Sequence, residues 1–275
     1  MPELPEVETV VRGLRDAGIK DKTIVSVHFS WPKIAENMPS EKMALALKNH
    51  RIVSLNRRAK YIVITLDNNN FLLIHLRMTG KLRVTPSNDP AGKHDHVIIK
   101  MDDGRQLVYN DTRKFGRFML VDSLKKSFAD TGPEPLDKTF TWELLRDRLK
   151  GHKRMIKPLL LDQTCVAGLG NIYVDESLWA AGIHPTRQAD TIKPGEIRKL
   201  HAAIQDVLKR AIAASGTTLG HGADNFYSVA GRRGRHADAL QVFRRTGDPC
   251  PRCKTTITRI VVGQRGTHLC HRCQV

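Results

Sequence analysis

Residues 250–273 read CPRCKTTITRIVVGQRGTHLCHRC, and this stretch determines how the last part of the chain folds. It contains two Cys-x-x-Cys pairs, Cys250 with Cys253 and Cys270 with Cys273, separated by sixteen residues. That spacing is typical of a four-cysteine zinc site, in which two knuckles hold one tetrahedral ion. Four thiolates close the coordination shell, so the sequence predicts one structural Zn²⁺ with no open position for substrate or activated water.

Between the two cysteine pairs the chain has the pattern of a β-hairpin. Residues 256–262 and 267–269 are suited to its two strands, and residues 263–266 to the tip that joins them. The tip carries Arg265. A redox pair explains the pattern less well, because a thioredoxin-type site needs only one Cys-x-x-Cys beside a βαβ unit.

Working back from the ribbon, the first part of the chain combines one helical segment with a long β-rich region. Just after Pro5, apolar residues recur at i, i+3, i+4 and i+7, which predicts a short amphipathic helix. From about residue 22 to 121, β-branched and alternating runs are separated by turn sequences at 67–70 and 102–104. This pattern indicates an antiparallel sandwich or barrel, and we predict the sandwich. The helical apolar positions are Val7, Val10, Val11 and Leu14.

The middle of the chain is helical. After a turn-rich stretch at 122–138, a helical period appears at 142–150, 171–181 and 196–214. Asn171 occupies the expected N-cap position of the second helix, and Gly182 occupies the C′ position after it. We therefore predict an α+β multidomain protein. Its segments are a β-sandwich domain at 1–121, a linker at 122–138, a helical domain at 139–230 and the ribbon with its preceding loop at 231–275.

The charge of the chain indicates a polyanionic partner. Lys and Arg number 45 against 28 Asp and Glu, so the formal net charge is +17. Such an excess favours nucleic acid over other partners. The sequence contains neither an apolar stretch long enough for a membrane span nor the basic start of a signal peptide, so we expect a cytoplasmic protein without a membrane partner. Cys165, alone among the five cysteines in lying outside the ribbon, is expected to be a small buried residue.

The N-terminus contains a potential nucleophile. Removal of Met1 would leave the secondary amine of Pro2, and an α-amino group titrates at about 7.7 to 8.0, well below a lysine side chain. A helix starting directly after it disfavours the charged amine. Attack by this amine on a sugar C1′ gives a cationic iminium, and Glu3 is placed to exchange protons during the reaction. Taken alone, the segment is better explained as an ordinary frayed terminus.

Several segments, taken together and in order, resemble the bacterial formamidopyrimidine-DNA glycosylases over nearly the whole chain. The resemblance implies a bifunctional base-excision-repair enzyme, a DNA glycosylase and abasic-site lyase, which removes oxidised purines such as 8-oxoguanine and formamidopyrimidines from duplex DNA. It also implies that the helical domain contains a helix-two-turns-helix element, formed here by GLGNIY at 168–173. The matching segments are PELPEVET at 2–9, RRAKY at 57–61, HLRMTG at 75–80, KHDH at 93–96, residues 111–116, GPEPL at 132–136, GNIY at 170–173 with Glu176 and Ser177, AGIHP at 181–185 and GTTL at 216–219.

The resemblance also implies roles for individual residues. Pro2 is the nucleophile and Glu3 its acid/base partner, while Lys60, expected on a β-strand, lies beside the lesion phosphate. Asn171 and Arg265 contact DNA phosphates. Further phosphate contacts and a wedge that fills the gap left by the flipped base complete the set. The phosphate contacts are His75 and Lys157, and the wedge residues are Met78, Arg113 and Phe115.

Two departures from the family pattern bear on specificity. Phe243 stands where the family usually has a tyrosine, so one hydroxyl for a phosphate is missing. The loop that reads the flipped base is often Gly-x-Pro-Gly-Tyr-Phe, and here residues 231–236 read GRRGRH. Lesion preference, the required opposite base and the balance of the two activities stay open at this point. The alternatives are an endonuclease VIII-like enzyme for oxidised pyrimidines and a non-catalytic zinc-ribbon nucleic-acid binder. We expect a monomer associated with damaged double-stranded DNA in the nucleoid.

Overall fold

A computed structural model describes residues 1–220, 222 and 225–275 of the chain. By backbone contacts the chain forms two compact units. The first comprises Met1–Ala129 and Ala214–Arg235, and the second comprises Asp130–Ala213 and His236–Val275. Segment 214–235 therefore groups with the β-rich part of the chain, although the helix before it lies in the second unit. The segment boundaries predicted from sequence stay a prediction.

The first unit is an antiparallel β-sandwich preceded by a helix. Helix α1 (Leu4–Asp16) buries the predicted apolar stripe, and two four-stranded sheets follow. The strand orders are β1-β6-β7-β5 and β2-β3-β4-β8, with every pairing antiparallel. The strands are β1 (Ile24–Phe29), β2 (Ile52–Arg58), β3 (Tyr61–Leu66), β4 (Phe71–His75), β5 (Lys81–Pro86), β6 (Asp95–Met101), β7 (Arg105–Asn110) and β8 (Arg117–Val121).

Two helices of this unit were not predicted. Helix α2 (Ser40–Leu47) lies between β1 and β2, and it buries Met43 and Leu47 in the sandwich core. Helix α3 (Leu124–Ser127) forms inside the predicted linker, where the side chain of Ser123 accepts the Lys126 N–H. Both are at most eight residues long, too short for a helical period to stand out from the neighbouring β pattern.

The second unit contains four helices and the C-terminal hairpin. Its elements are α4 (Trp142–Leu149), α5 (Ile156–Leu161), α6 (Asn171–Ala181), α7 (Pro194–Ala213), β9 (Thr258–Val262) and β10 (Arg265–Leu269). The predicted C-cap of α6 is confirmed, since Gly182 has a φ of 75° and Ile183 N–H donates to the Leu178 carbonyl. The predicted N-cap at Asn171 is wrong by one residue: Gly170 is the N-cap and Asn171 is the first helical residue. Helix α5 was missed because it has only six residues and contains Pro158.

The predicted fold class is confirmed, because the chain is an α+β protein with antiparallel sheets, a helical part and a C-terminal four-cysteine ribbon. Within the described part of the chain, no helix combines the length and apolar character needed to cross a bilayer.

Candidate active site and metal centre

The N-terminal segment is held firmly in the first unit. Pro2 is buried directly before α1, Glu3 is 3% exposed, and Met1 is half-exposed. The Glu3 N–H donates to Oε2 of Glu6 over 2.9 Å, and the Thr217 N–H donates to Oε1 of the same carboxylate over 2.7 Å. Glu6 therefore connects the predicted catalytic residues to segment 214–235. Sequence reasoning missed this role, although the spacing of Glu3 and Glu6 is that of a capping box.

Lys60 lies in a tight turn and not on a strand, which corrects the prediction. Arg58 of β2 pairs with Tyr61 of β3, so Ala59 and Lys60 form a two-residue connection, in which Ala59 has a φ of 52°. The carbonyl of Ala59 accepts a hydrogen bond from Arg57. Lys60 is only 5% exposed, and its charge is one of those that act on His75. The structure thus brings these two predicted phosphate contacts together.

His75 is a neutral hydrogen-bond donor at physiological pH. Burial first, and then the charges of Arg77 and Lys60, lower the pKa of His75 to about 3. Its Nδ1 accepts the Arg77 N–H over 2.9 Å, so the proton of the neutral ring resides on Nε2. The Tyr61 ring lies edge-on to the imidazole at 4.7 Å and fixes its orientation. In this state His75 can donate one hydrogen bond to an anion but carries no charge.

The three predicted wedge residues lie together on the surface of the first unit. Met78 is 42% exposed and Phe115 is 43% exposed. The Arg113 guanidinium stacks over the Phe115 ring at 4.6 Å and lies 3.1 Å from the Met78 sulfur. Their exposure and mutual contact are compatible with the predicted wedge, which stays a prediction.

Asp111 holds the loop that carries two of these wedge residues. Its carboxylate is fully buried and accepts the backbone N–H groups of Arg113, Phe115 and Gly116 over 2.9–3.1 Å. Hydroxyls of Thr79 and Tyr109 also donate to it. Burial alone would raise the pKa of Asp111, but these hydrogen bonds outweigh it and the pKa is lowered. Asp111 was recognised only as the boundary of a motif, because a buried carboxylate has no distinctive sequence pattern.

The four cysteines of the ribbon form a metal centre in the second unit. Their Sγ atoms all lie within 4.8 Å of one another, with Cys250 3.8 Å from Cys273 and Cys253 3.4 Å from Cys270. Zn–S bonds of about 2.3 Å at tetrahedral angles separate sulfurs by roughly 3.8 Å, so the donor set fits Zn²⁺. The chain holds one structural zinc ion at this site. The four thiolates complete the tetrahedral shell without a contribution from the neighbouring His268 or His271.

The predicted hairpin is confirmed, and its tip is tighter than expected. Val262 pairs with Arg265, so Gly263 and Gln264 alone form the turn, with φ values of 54° and 61°. Two successive positive φ angles are the signature of a type I′ turn, whose twist matches that of the strands. Arg265 is the first residue of β10 and is exposed.

Lys157 and Asn171 both contact the hairpin backbone one residue beyond Arg265. Lys157 Nζ donates to the Gly266 carbonyl over 3.1 Å, and Asn171 Nδ2 donates to the same oxygen over 2.9 Å. Lys157 is fully buried and forms an ion pair of 2.6 Å with Asp175, whose other oxygen accepts the His268 N–H. A direct phosphate contact does not fit this placement of Lys157, because its ammonium group is enclosed and already paired.

Glu176 organises the chain that precedes the ribbon. Its buried carboxylate accepts the backbone N–H groups of Gln241, Val242 and Phe243, each over 2.9 Å. Burial raises the pKa of Glu176, and the three hydrogen bonds oppose that rise. The Phe243 ring packs edge-on against His268 at 4.9 Å. The residue that replaces the usual tyrosine is therefore held by the same helix, α6, that carries Asn171.

Comparison with known proteins identifies the class to which this fold and these sites belong. Three families match in order along the chain. They are the formamidopyrimidine-DNA glycosylase N-terminal domain at residues 1–118, the formamidopyrimidine-DNA glycosylase H2TH domain at 131–221, and the zinc finger found in FPG and IleRS at 247–275. The class is thus that of zinc-containing DNA glycosylases with a helix-two-turns-helix domain.

Full-length relatives narrow the class to one family. The formamidopyrimidine-DNA glycosylase of Protochlamydia amoebophila is 43% identical over 100% of this chain and 99% of its own. That of Herpetosiphon aurantiacus is 45% identical over 100% of both. The Lactococcus lactis Fpg, solved in complex with an abasic site containing DNA, has a TM-score of 0.91 at 38% identity and 99% coverage of both chains. A MutM structure in complex with carbocyclic 8-oxo-G containing DNA has a TM-score of 0.91 at 39% identity, again with 99% coverage of both chains. The chain belongs to the formamidopyrimidine-DNA glycosylase family.

Proposed function

We propose that this protein removes oxidised purines, such as 8-oxoguanine and formamidopyrimidines, from duplex DNA and then cleaves the abasic site. The observation that carries the proposal is full-length similarity to enzymes and DNA complexes of this family. It is supported by a proline at position 2, buried directly before α1 and next to a nearly buried Glu3. A proline at position 2 or a buried glutamate is common in proteins, but an N-terminal proline beside a buried glutamate matches the chemistry of a Schiff-base glycosylase.

In the proposed reaction, Met1 is first removed and the Pro2 nitrogen attacks C1′ of the damaged nucleotide. A C1′–N bond forms, and the base departs with the electron pair of the glycosidic bond and takes up a proton. Glu3 exchanges protons with the departing base and with the sugar as its ring opens. The resulting iminium acidifies the C2′ proton, whose loss expels the 3′ phosphate. Attack of water on the remaining iminium then releases the sugar aldehyde and regenerates the free amine of Pro2.

The other predicted residues bind and shape the DNA in this proposal. Lys60, His75, Asn171 and Arg265 approach phosphates, with His75 acting as a neutral donor. Met78, Arg113 and Phe115 enter the gap left by the flipped base, where an apolar and a planar group offset part of the lost stacking. Lys157 acts by holding the hairpin backbone in position, because it is buried against Asp175 and Gly266.

Borohydride trapping tests the proposed nucleophile. Processed protein and an oligonucleotide containing 8-oxoguanine should become covalently joined, because borohydride reduces the iminium to a stable amine. A retained Met1 or an N-terminal tag turns the prolyl amine into an amide and should abolish trapping, while Pro2→Gly should trap less efficiently. Glu3→Gln should bind DNA but fail to excise the base. If a protein whose blocked N-terminus is confirmed by intact mass still traps at the wild-type level, the nucleophile is an internal lysine. Lys60 is then the first residue to test.

The same assay, applied to different lesions, addresses specificity. We propose that the protein acts as a monomer, in the cytoplasm at the nucleoid, as expected for a chain whose net charge of +17 attracts DNA. A panel of duplexes containing oxidised purines or oxidised pyrimidines tests the substrate class, and the arginine-rich loop at 231–236 makes this panel necessary. Preferential excision of oxidised pyrimidines would assign the protein the specificity of the endonuclease VIII-like enzymes.

A further inference from the structure

The first unit contains a surface groove that the repair reaction does not use. It has a volume of about 980 Å³ and lies between strands β2 and β3 on one side and residues 123–129, which include α3, on the other. None of the residues proposed above to act on DNA lines it. Its function therefore has to be sought in its own chemistry.

The floor of the groove is apolar and well supported. Val63 is only 2% exposed, although its neighbours Ile62 and Ile64 face the opposite side of the sheet and belong to the sandwich core. Leu124 and Phe128 form the opposing wall. The Phe128 ring packs edge-on against Tyr61 at 5.5 Å, which fixes it in place. This arrangement offers a preformed apolar surface for one large side chain.

The rim of the groove is cationic. Arg57, Arg58, Lys125 and Lys126 line it, and none of its lining residues, all of which lie in the described part of the chain, is acidic. Arg57 is oriented by Glu8 over 3.2 Å, and the Arg58 guanidinium lies 5.7 Å from the Phe128 ring. Lys125 and Lys126 are exposed on the opposite side. Cations on both sides of an apolar floor attract a ligand that combines negative charge with an apolar group.

We propose that this groove binds an acidic peptide segment of a partner protein, with one large apolar side chain of that segment packed against the half-buried Leu124 and Phe128. The backbone of duplex DNA would satisfy the basic rim, but its bases are stacked inside the double helix and supply no group for the apolar floor. A peptide with Asp and Glu around an aromatic or leucine side chain satisfies both parts. The interaction is independent of the proposed glycosylase chemistry.

Fluorescence anisotropy with a short labelled peptide, a Phe-Leu pair flanked by Asp and Glu, tests the proposal on the full-length zinc-loaded protein. Lys125→Ser/Lys126→Ser should weaken peptide binding about tenfold, because two rim charges are lost. Lys42→Ser/Lys48→Ser removes the same charge from exposed positions of the same unit outside the groove, and it should bind like the wild type. Leu124→Ser, and a peptide in which Ser replaces Phe and Leu, should each lose about tenfold or more.

Three results would overturn the proposal. One is an equal loss of peptide affinity in the Lys42/Lys48 control, which would show that the effect depends only on net charge. Another is unchanged affinity for the peptide without its apolar pair. The third is a Lys125/Lys126 variant that loses affinity for an undamaged labelled oligonucleotide but keeps its affinity for the peptide. Borohydride trapping on 8-oxoguanine DNA should stay at the wild-type level in every groove variant, so failure here is distinguishable from failure of the glycosylase function.

Discussion

At the scale of single residues, three buried carboxylates hold the irregular segments around the candidate sites. Glu6 accepts N–H groups from Glu3 and Thr217, Asp111 accepts them from the wedge loop, and Glu176 accepts them from residues 241–243. Loops leave backbone donors without the partners that a helix or sheet supplies. A charged acceptor forms stronger hydrogen bonds than a neutral one, so one carboxylate can satisfy several donors at once.

Asp111→Asn tests this role. The amide keeps the size of the side chain but replaces one acceptor oxygen with an NH₂ group that faces existing donors. We expect a loss of about 2–4 kcal/mol in the free energy of unfolding, and weaker binding to DNA that contains a flipped base. Urea unfolding measures the first effect. Asp102→Asn, at an exposed turn position of the same unit, is the matched control and should change stability by less than about 0.5 kcal/mol. Equal stability of the two variants would contradict the role assigned to Asp111.

At the scale of secondary-structure elements, the β9–β10 hairpin is fixed at both ends. The cysteine knuckles hold its base, while Lys157 on α5 and Asn171 on α6 bind the Gly266 carbonyl near its tip. Asp175 links helix α5 to strand β10, because it pairs with Lys157 and accepts the His268 N–H of β10. Arg265 is thereby presented on a braced strand, which reduces the entropy that a long side chain on a mobile loop would lose on binding.

The buried pair of Lys157 and Asp175 should respond strongly to single changes. Lys157→Met leaves the Asp175 carboxylate buried without its cation, and we expect a destabilisation of about 3 kcal/mol or more. Adding Asp175→Leu should recover part of that loss, because the uncompensated charge is removed. A double-mutant cycle in urea measures the coupling. Arg210→Met, which breaks the exposed pair with Asp206, should cost less than about 0.5 kcal/mol. Additive effects of the two buried changes would show that the pair is not coupled.

Zinc removal should disrupt the same element from its other end. Cys253→Ser is expected to lose the metal and to weaken DNA binding, because the small apolar cluster of Trp179, Val242 and Ile257 is completed by ligand cysteines. Metal analysis and DNA affinity should change together. Cys165→Ser, in the same unit but outside the ribbon, should keep a full zinc complement. Active protein that contains no zinc would contradict the structural role of the metal.

At the scale of the whole molecule, the excess of positive charge governs association with DNA. A net charge of +17 favours binding to any duplex, and each phosphate contact adds to the salt dependence. In the proposed function, base recognition comes from the wedge and the loop at 231–236, since phosphate contacts position the protein without reading sequence. Affinity and lesion preference should therefore be separable by mutation.

Arg265→Ala provides that separation. It should weaken binding and lower the slope of log K against log salt concentration by about 0.9, the loss of one phosphate contact, without changing lesion preference. Titrations at several salt concentrations on 8-oxoguanine and undamaged duplexes measure both quantities. Lys42→Ala, at an exposed position of α2, serves as the control for net charge. An unchanged slope in the Arg265 variant would place the hairpin tip outside the interface.

Features that depend on local pattern could be predicted from the amino-acid sequence alone. The spacing of the cysteines predicted the zinc site, the apolar period predicted α1 and α7, and the alternating runs predicted antiparallel sheets. These features depend on residues close together in the chain, so their geometry follows from helix and strand periods. The resemblance of ordered motifs added the family, which full-length comparison confirmed.

Which polar side chains are enclosed, and which groups they hold, depends on the tertiary structure. Lys157, which the resemblance implied to be a phosphate contact, is buried against Asp175, and Lys60, expected on a strand, lies in a turn. Glu6 binds a backbone group 211 residues away, and Glu176 binds one 66 residues away. No local period encodes such contacts, because the energy of a charged side chain depends on the partners and the burial that distant segments provide.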